Sequence, residues 1–409
     1  MRSDDDARNM KTFGRFLHAA LVIGALALSS ACAGHPSSAP LQAHTLDLTM
    51  AGLPYVRDAA GYWYVIDTGS PRTTITPEAA GAAPATRGDQ RLPSWVFPLN
   101  SGDVAVLVTD RPTAYDQGVL RPFAGVIGVD VLADYTLTLD PRARTLTADP
   151  RPSPASASML SVDGVERLGP GTFCIEDGQC AHFGPSRLVF PVSVEGVATW
   201  AALDTGRRRS TLTDALWRRL PRNAKRSVLT LGDLRQARVL AFQLGRGGAG
   251  PTVSNSVVSM SDDEAPFAKL QVETGRPIEV LVGQSFLQNF VARVDIAGAA
   301  IALTPYDDTH EAAAADEPPT IGALFDVGAG CFAVVGVYAE HDAQRKGLAV
   351  GDCVTGVDDG ALTFDRAGLT SLSRYFISRG AGATVRLTVR RGPETRTLDV
   401  AIEDLLPRL

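Results

Sequence analysis

The 409-residue chain lacks several residue patterns that mark common classes of function. It has 5 Cys and 6 His residues, without a Cys-x-x-Cys motif or a cluster of His residues. A metal centre built on those ligands is therefore not expected, and we predict neither a metal nor another cofactor. The formal net charge of -6 and the lack of basic blocks argue against nucleic acid as a partner.

The N-terminus has the pattern of an export signal. Two basic residues precede the apolar residues 16–28, a run shorter than the roughly 18 residues that a membrane-spanning helix needs. Cys32 ends a Ser-Ser-Ala-Cys segment that approximates a lipoprotein cleavage box. We predict a signal peptide over residues 1–32, a lipid on Cys32 and a flexible tether over residues 33–44. The expected location is the bacterial periplasm, with membrane attachment only through the lipid; ordinary signal-peptidase cleavage after Ala33 stays open.

A short segment occurs twice in the chain. It reads Trp-Tyr-Val-Ile-Asp-Thr-Gly-Ser at residues 63–70 and Trp-Ala-Ala-Leu-Asp-Thr-Gly-Arg at residues 200–207. Each copy is followed downstream by two apolar residues and a glycine, at 126–128 and at 281–283. Internal repeats fix the architecture of a chain, so we predict two related lobes of about a hundred residues each.

The doubled Asp-Thr-Gly motif resembles the aspartic proteases, and the short lobes are similar to the retropepsin-like branch. The resemblance implies a mainly β fold with two homologous β-barrel lobes at residues 45–150 and 185–308, acting as a monomer. Residues 151–184 would connect the lobes and contain a hairpin. The resemblance also implies that Asp67 and Asp204 form the catalytic pair and act on a peptide or protein substrate.

Paired carboxylates explain why this chemistry needs two such loops. Two carboxylates held close together share one proton, because both cannot ionise cheaply. The ionised member takes a proton from a water, and the protonated member polarises the scissile carbonyl. The resemblance implies supporting roles for the other loop residues: the glycines allow close approach of the backbone, and the threonines link the loops by hydrogen bonds. The Ser70 hydroxyl could bond the Asp67 carboxylate, although related retropepsins have Ala at this place. These supporting residues are Thr68, Gly69, Ser70, Thr205 and Gly206.

Arg207 departs from the family pattern, because it stands where Ser70 stands in the first loop. A cation beside the two aspartates would favour the doubly ionised form and oppose the shared proton. We expect the Arg207 side chain to extend into solvent, which leaves an exported aspartic endopeptidase as the preferred function. The alternative is a catalytically inactive, peptide-binding periplasmic lipoprotein on the same scaffold.

The C-terminal residues 321–409, after a linker at 309–320, resemble a bacterial PDZ domain. Residues 343–352 follow the family pattern Ala-x-x-Ala-Gly-Leu-x-x-Gly-Asp, with Lys346 where Ala is usual. The resemblance implies an α/β domain that binds an extended peptide, a substrate or a regulatory tail, by adding it as a strand to the edge of its sheet.

Four cysteines besides Cys32 form two local pairs. Cys174 and Cys180 flank a turn that contains glycine, and in a PDZ fold Cys331 and Cys353 would lie on neighbouring strands. In an oxidising compartment we predict the disulfides Cys174–Cys180 and Cys331–Cys353. Four cysteines allow three connectivities, and the other two stay open.

Overall fold

The structure is a computed structural model of the full chain. The chain divides into Met1–Ala39 and Pro40–Leu409, and all described residues belong to the second unit. The predicted signal peptide, with Cys32, and most of the predicted tether lie outside the described residues. The structure describes residues 43–45, 53–58, 60–81, 88–92, 104–108, 123–150, 158–174, 180–185, 187–225, 228–231, 234–248, 250–261, 264–306, 318–358 and 360–406.

The fold is mainly β, as the sequence predicted. The first repeat contains β1 (Ala43–Thr45), β2 (Tyr55–Arg57), β3 (Trp63–Ile66), β4 (Thr74–Ile75), β5 (Gly88–Leu92), β6 (Val104–Val108), β7 (Phe123–Ile127), α1 (Val129–Leu132), β8 (Thr136–Asp140) and β9 (Thr145–Asp149). The connecting segment contains β10 (Leu160–Ser161), β11 (Glu166–Arg167), β12 (Pro170–Cys174) and β13 (Cys180–Pro185).

The remaining elements follow in chain order. The second repeat contains β14 (Leu188–Val194), β15 (Val197–Leu203), β16 (Ser210–Thr213), α2 (Asp214–Arg219), a 3-10 helix (Arg222–Lys225), β17 (Leu229–Leu231), β18 (Leu234–Val239), β19 (Phe242–Leu244), β20 (Thr252–Val253), β21 (Ser256–Ser261), α3 (Ala265–Thr274), β22 (Ile278–Val282), α4 (Gln284–Leu287), β23 (Phe290–Asp295) and β24 (Ala300–Pro305). The C-terminal part contains β25 (Ala323–Gly328), β26 (Cys331–Val337), α5 (Asp342–Arg345), β27 (Cys353–Val357), α6 (Arg366–Arg379), β28 (Thr384–Arg391) and β29 (Glu394–Ala401). Among the described residues, none of these helices is long and apolar enough to cross a membrane.

The two repeats form sheets with the same strand order. The first sheet runs β2-β3-β7-β4-β6-β5, and the second contains the path β14-β15-β22-β16-β21-β18. In both sheets the strand before Asp-Thr-Gly pairs in parallel with the strand before the downstream glycine. The strand after Asp-Thr-Gly pairs antiparallel with that same strand. The sequence repeat is therefore a repeat of chain topology, and it places the two Asp-Thr-Gly loops at equivalent strand ends.

The central strands form because their residues are apolar without interruption. All four residues of β3 are buried, as are the last three residues of β15 and of β22. Strands covered on both faces have such continuous apolar runs, whereas a half-exposed strand alternates. Burial on both faces fixes where each strand ends, and Asp67 and Asp204 are the first polar residues beyond those ends.

A third sheet joins the two repeats. Its order is β1-β9-β8-β23-β24-β10, so the equivalent strands β8 and β23 lie side by side and antiparallel. Leu137 lies opposite Val294 in this pairing, and both side chains are fully buried. The two repeats therefore share one continuous core.

The predicted closed barrels are wrong, because no sheet formed by the described residues closes on itself. The first sheet ends on β2 and β5, which pair with different neighbours. The strands that follow it in the chain, β8 and β9, pair with β23 and β1 instead of closing the sheet. The edges of β8 and β9 are therefore already hydrogen-bonded to other strands, and they do not close the first sheet into a barrel.

The C-terminal part is a five-stranded antiparallel sheet, β25-β26-β27-β28-β29, with its own apolar core. The predicted Cys331–Cys353 disulfide is present and joins the starts of β26 and β27, with the two Cα atoms 5.5 Å apart. The register of β12 and β13 places Cys174 directly opposite Cys180. The side chains of that hairpin lie outside the described part of the chain, so its bridge stays a prediction.

Asp352 is a buried charge beside the disulfide, 1% exposed. The Arg391 guanidinium donates to both of its carboxylate oxygens, at 2.6 and 2.8 Å. Burial alone would raise the pKa of Asp352, but the hydrogen bonds from Arg391 and the Ala349 N–H, with the charges of Arg391 and Arg396, hold that pKa below its usual range. The group therefore stays ionised and ties the turn before β27 to the end of β28.

The C-terminal part packs directly on the second repeat. Leu405 and Leu406 lie in one buried apolar cluster with Leu229 and Val257. Arg238, 1% exposed, donates from Nε to the Leu406 carbonyl oxygen. The buried apolar contacts and the buried hydrogen bond from the Arg238 guanidinium together hold the end of the described chain against the second sheet.

Candidate active site

The two aspartates occupy equivalent positions at the ends of β3 and β15. The Asp67 N–H donates to the Ile127 carbonyl at 3.0 Å, and the Asp204 N–H donates to the Val282 carbonyl at 2.9 Å. Asp67 is 2% exposed and Asp204 is 9% exposed. Both carboxylates are therefore held in a largely dry environment by the parallel strands beside them.

Two threonines tie the loops together. The Thr68 N–H donates to Thr205 Oγ1 at 3.0 Å, and the Thr205 N–H donates to Thr68 Oγ1 at 3.1 Å. Thr205 Oγ1 also donates to the Ile66 carbonyl at 2.7 Å. Both threonines are buried, so these bonds form without competition from water. The reciprocal pair fixes the distance between the two loops.

The glycine of each loop lies against the aspartate of the other. A Cβ added to Gly69 would lie 2.5 Å from Asp204 Cγ, and a Cβ added to Gly206 would lie 2.3 Å from Asp67 Cγ. No side chain fits at such distances. The Gly69 N–H also donates to Asp67 Oδ1 at 2.7 Å. The two carboxylates thus approach a common point between the loops.

The downstream glycines, Gly128 and Gly283, pack against the backbone of the Asp-Thr-Gly loops. A Cβ on Gly128 would lie 2.5 Å from the backbone of Arg72, and one on Gly283 would lie 2.6 Å from the Arg207 carbonyl oxygen. The residue after each glycine donates its N–H to the loop: Val129 to the Ser70 carbonyl and Gln284 to the Arg207 carbonyl, both at 2.8 Å. The apolar-apolar-Gly motif is needed because only glycine permits this contact.

A buried polar cluster behind the first loop was missed by sequence reasoning. Asp130 accepts from the Thr73 N–H at 2.8 Å and from Thr73 Oγ1 at 2.7 Å, and it forms an ion pair with Arg72 at 3.5 Å. Burial raises the pKa of Asp130, although the bonds from Thr73 and the Arg72 charge oppose that rise. In the second repeat, Ser285 and Ser210 occupy the places of Asp130 and Thr73. Aligning the two repeats would have revealed this difference.

The expectation for Arg207 was wrong. Its Nε lies 2.9 Å from Asp204 Oδ2, and its Nη1 lies 3.4 Å from Thr211 Oγ1. The Arg207 N–H donates to the Asp204 carbonyl at 3.2 Å, and the Ser70 N–H donates to the Asp67 carbonyl at the same distance. The turn is therefore common to both loops, and the longer arginine side chain is what reaches the carboxylate. The guanidinium therefore neutralises Asp204 on one side.

Ser70 does not make the bond to Asp67 that the sequence allowed. Its hydroxyl donates to the Arg72 carbonyl at 2.9 Å and not to the Asp67 carboxylate. The acceptor lies two residues ahead in the same turn, which makes it the nearer partner. The two loops therefore share their backbone geometry and differ in the side chain that follows the glycine.

No group of three or more His, Cys, Asp or Glu residues that could hold a metal occurs among the described residues. The site offers two buried carboxylates on facing loops, backbone donors close to one of them and a guanidinium on the other. Such a pair can hold and activate a water, which is the chemistry of acid–base hydrolysis.

Comparisons with known proteins do not assign the chain to a family. No protein-family model and no curated protein matches the chain. Among solved structures, the chain is similar to basic 7S globulin from soybean, with 11% identity and a TM-score of 0.36 over 64% of this chain and 94% of that chain. A likeness at this level carries no argument.

Proposed function

We propose that the protein is an aspartic endopeptidase that hydrolyses peptide bonds with a water held between Asp67 and Asp204. The observation that carries the proposal is the mutual contact of the loops: Gly69 lies against Asp204, and Gly206 lies against Asp67. This arrangement aims two buried carboxylates at one point. A structural turn would not need two glycines in contact with the carboxylate of the other loop.

The proposed mechanism uses the pair as a unit. One carboxylate is ionised and removes a proton from the water, which attacks the scissile carbonyl carbon. The other carboxylate holds the shared proton and donates a hydrogen bond to the carbonyl oxygen as charge develops there. The N–H of Gly69, 2.7 Å from Asp67 Oδ1, stabilises an ionised Asp67.

The test is the loss of cleavage in two isosteric variants. Asp67→Asn and Asp204→Asn are each expected to reduce cleavage of a peptide library by about a thousandfold or more, because neither can share the proton. Asp399→Asn, at a surface position in β29, is the matched control and should cleave normally. Cleavage by either site variant at the wild-type rate would refute the assignment, provided that its unfolding temperature is unchanged.

A second candidate function is supported by one observation. The ion pair between Arg207 and Asp204 occupies one carboxylate oxygen of the pair, and it favours a catalytically inactive peptide-binding protein on the same scaffold. The two functions predict different results with the same library. An inactive protein would bind peptides without cutting them, and its affinity would be unaffected by Asp67→Asn.

We propose that the C-terminal part is a PDZ domain that captures an extended peptide on β25. This strand lies at the edge of the sheet, beside α6, and Leu324 in β25 and Ile377 in α6 are large apolar residues with 39% and 47% exposure. An edge strand next to an apolar helix face suits strand addition. Leu324→Asp should weaken the binding of a fluorescent peptide with an apolar C-terminus by about tenfold, whereas Val350→Asp, at an exposed position before β27, should not.

We further propose that the protein acts outside the cytoplasm as a lipoprotein. The Cys331–Cys353 disulfide and the apolar run before Cys32 support export. Mass spectrometry of the protein purified from membranes should show a mature N-terminus at Cys32 carrying lipid. Recovery of the full-length chain from the cytoplasm would refute the proposal.

A further inference from the structure

The Arg207 side chain connects the candidate active site with solvent. Its Nε lies 2.9 Å from Asp204 Oδ2, and the arginine side chain is 38% exposed whereas that of Asp204 is 12% exposed. The guanidinium therefore contacts a mostly buried carboxylate while a large part of the side chain remains accessible. A group arriving from solvent can reach the cation more easily than it can reach Asp204.

The second loop is much more basic than its equivalent in the first repeat. Residues 207–209 are three arginines, whereas Ser70, Pro71 and Arg72 occupy the corresponding places. The acidic partner of Arg72 is Asp130, and the corresponding position in the second repeat is Ser285. Two additional arginines and one absent aspartate make the second loop three charges more positive than the first.

This excess of positive charge lies next to the proposed peptide-binding site, where it affects which peptides bind. Charges of one sign that line a cleft raise the local concentration of ligands of the opposite sign. An arginine presents a planar fork of donors that matches a carboxylate in two-point contact. The ligand chemistry that fits Arg207 is therefore an acidic side chain, Asp or Glu, on the bound peptide.

We infer that Arg207 is a specificity residue that recognises an acidic side chain next to the scissile bond and, in doing so, releases Asp204; this inference rests on the proposed peptidase activity. In the absence of substrate, the guanidinium is the counter-ion of Asp204. An acidic substrate side chain replaces Asp204 as its partner. The Asp204 carboxylate then loses its ion-pair partner, and its Oδ2 atom becomes available to the reacting groups.

This exchange makes a kinetic prediction that simple binding would not make. An acidic side chain that only added affinity would lower KM and leave kcat unchanged. An acidic side chain that also frees Asp204 raises kcat, because the Asp204 carboxylate becomes available to the reacting groups only when that substrate is bound. We expect a Glu-containing peptide to exceed its Gln twin by about fivefold in kcat/KM, with most of the difference in kcat.

The experiment has two steps. A peptide library made by tryptic digestion of a bacterial proteome is first incubated with the full-length protein, and cleavage sites are identified by mass spectrometry. The preferred sequences are then synthesised as pairs that differ only by Glu or Gln beside the scissile bond. Wild type is compared with Arg207→Gln, with Arg207→Lys, which keeps the charge, and with Arg246→Gln. Arg246 is a matched control, because it is an exposed arginine over the ring of Trp200, which lies in the middle of β15 and four residues before Asp204.

The expected result is a preference for Glu in wild type and Arg246→Gln, a reduced preference in Arg207→Lys and none in Arg207→Gln. Equal cleavage of Glu and Gln peptides by wild type, or an unchanged preference in Arg207→Gln, would overturn the inference. If Asp67→Asn abolishes cleavage in that same experiment, the proposed peptidase function stands even though the inference about Arg207 fails. If wild type cuts no peptide, or Asp67→Asn cuts normally, the proposed function fails and the inference fails with it.

Discussion

The reciprocal threonine bonds offer the most direct test of how the two loops are held together. Thr205→Ala removes a hydroxyl that makes two bonds: it accepts from the Thr68 N–H at 3.0 Å and donates to the Ile66 carbonyl at 2.7 Å. The residue has no solvent exposure, so water cannot replace either partner without opening the structure. Thr68→Ala removes an acceptor for the Thr205 N–H, at 3.1 Å.

The magnitude follows from the groups left without partners. A buried hydrogen-bonding group that loses its partner costs about 1–3 kcal/mol. Thr205→Ala leaves an amide and a carbonyl in that condition, so we expect a loss of roughly 2–6 kcal/mol in the free energy of unfolding. Thr68→Ala leaves the Thr205 amide, with an expected loss of about 1–3 kcal/mol. The loss of unfolding free energy should therefore be larger for Thr205→Ala than for Thr68→Ala.

Catalysis should be more sensitive than stability. The threonine bonds set the spacing of the two loops, and a displacement of about 1 Å at a reacting group can cost about a hundredfold in rate. We expect Thr205→Ala to lower kcat by roughly ten- to a hundredfold at a temperature where the variant is fully folded. Thr205→Ser keeps the hydroxyl and should retain most of the activity and stability.

Two measurements check this prediction: urea unfolding followed by tryptophan fluorescence, and cleavage of a peptide found in the library experiment. Thr395→Ala, at an exposed position in β29, is the matched control for replacing a threonine by an alanine. Equal effects of Thr205→Ser and Thr205→Ala would show that the hydroxyl is not what holds the loops. A Thr205→Ala variant with full stability and full activity would refute the geometry of the whole site.

Three further predictions concern the remaining contacts. Gly206→Ala should abolish cleavage, because its Cβ would lie 2.3 Å from the carboxylate carbon of the opposite loop, whereas Gly169→Ala, with nothing within 4 Å, should cleave normally. Replacing Cys331 and Cys353 by Ser should cost about 3 kcal/mol of unfolding free energy in the C-terminal part, since the bridge closes a loop with a sequence separation of 22; calorimetry with and without reductant checks it, and an unchanged melting temperature would contradict it. The pKa of Asp352 is lowered in the folded state, so its stabilisation is present above its unfolded pKa of about 3.9 and is lost as pH falls through the lower folded pKa; Asp352→Asn should therefore lower stability at neutral pH and flatten the acid side of the stability curve, and an unaltered curve would rule this out.

The sheet order of the two repeats follows from short sequence signals. A buried strand, a tight loop and a second apolar strand that ends in glycine occur twice with matched flanks, and they fix three central strands in each repeat. The glycines could be assigned from sequence because only that residue permits the backbone contacts around Asp67 and Asp204. The Cys331–Cys353 pairing was similarly accessible once the C-terminal residues had been placed on neighbouring strands.

Side-chain partners and the pairing of edges could not be predicted in this way. The bond of Asp130 with Thr73 joins residues 57 positions apart, and no local periodicity indicates it. The contact of the Arg207 side chain with Asp204 depends on a side-chain conformation that the sequence does not specify, because the turn itself is the same in both loops. The open sheets follow from the pairing of β8 with β23, a contact that competes with barrel closure and is decided by tertiary packing.

The difference between the two loops is the feature on which function depends. Their backbones make the same bonds, from Asp67 to Ile127 and from Asp204 to Val282, so the scaffold holds both carboxylates equally well. A scaffold of this kind is compatible with catalysis and with binding alone, because folds do not determine activity. The group that distinguishes these functions is Arg207, which neutralises one member of the pair and has no counterpart in the first loop. If the protein is an active peptidase and its substrate displaces that cation, as we propose, activity and specificity depend on the same side chain.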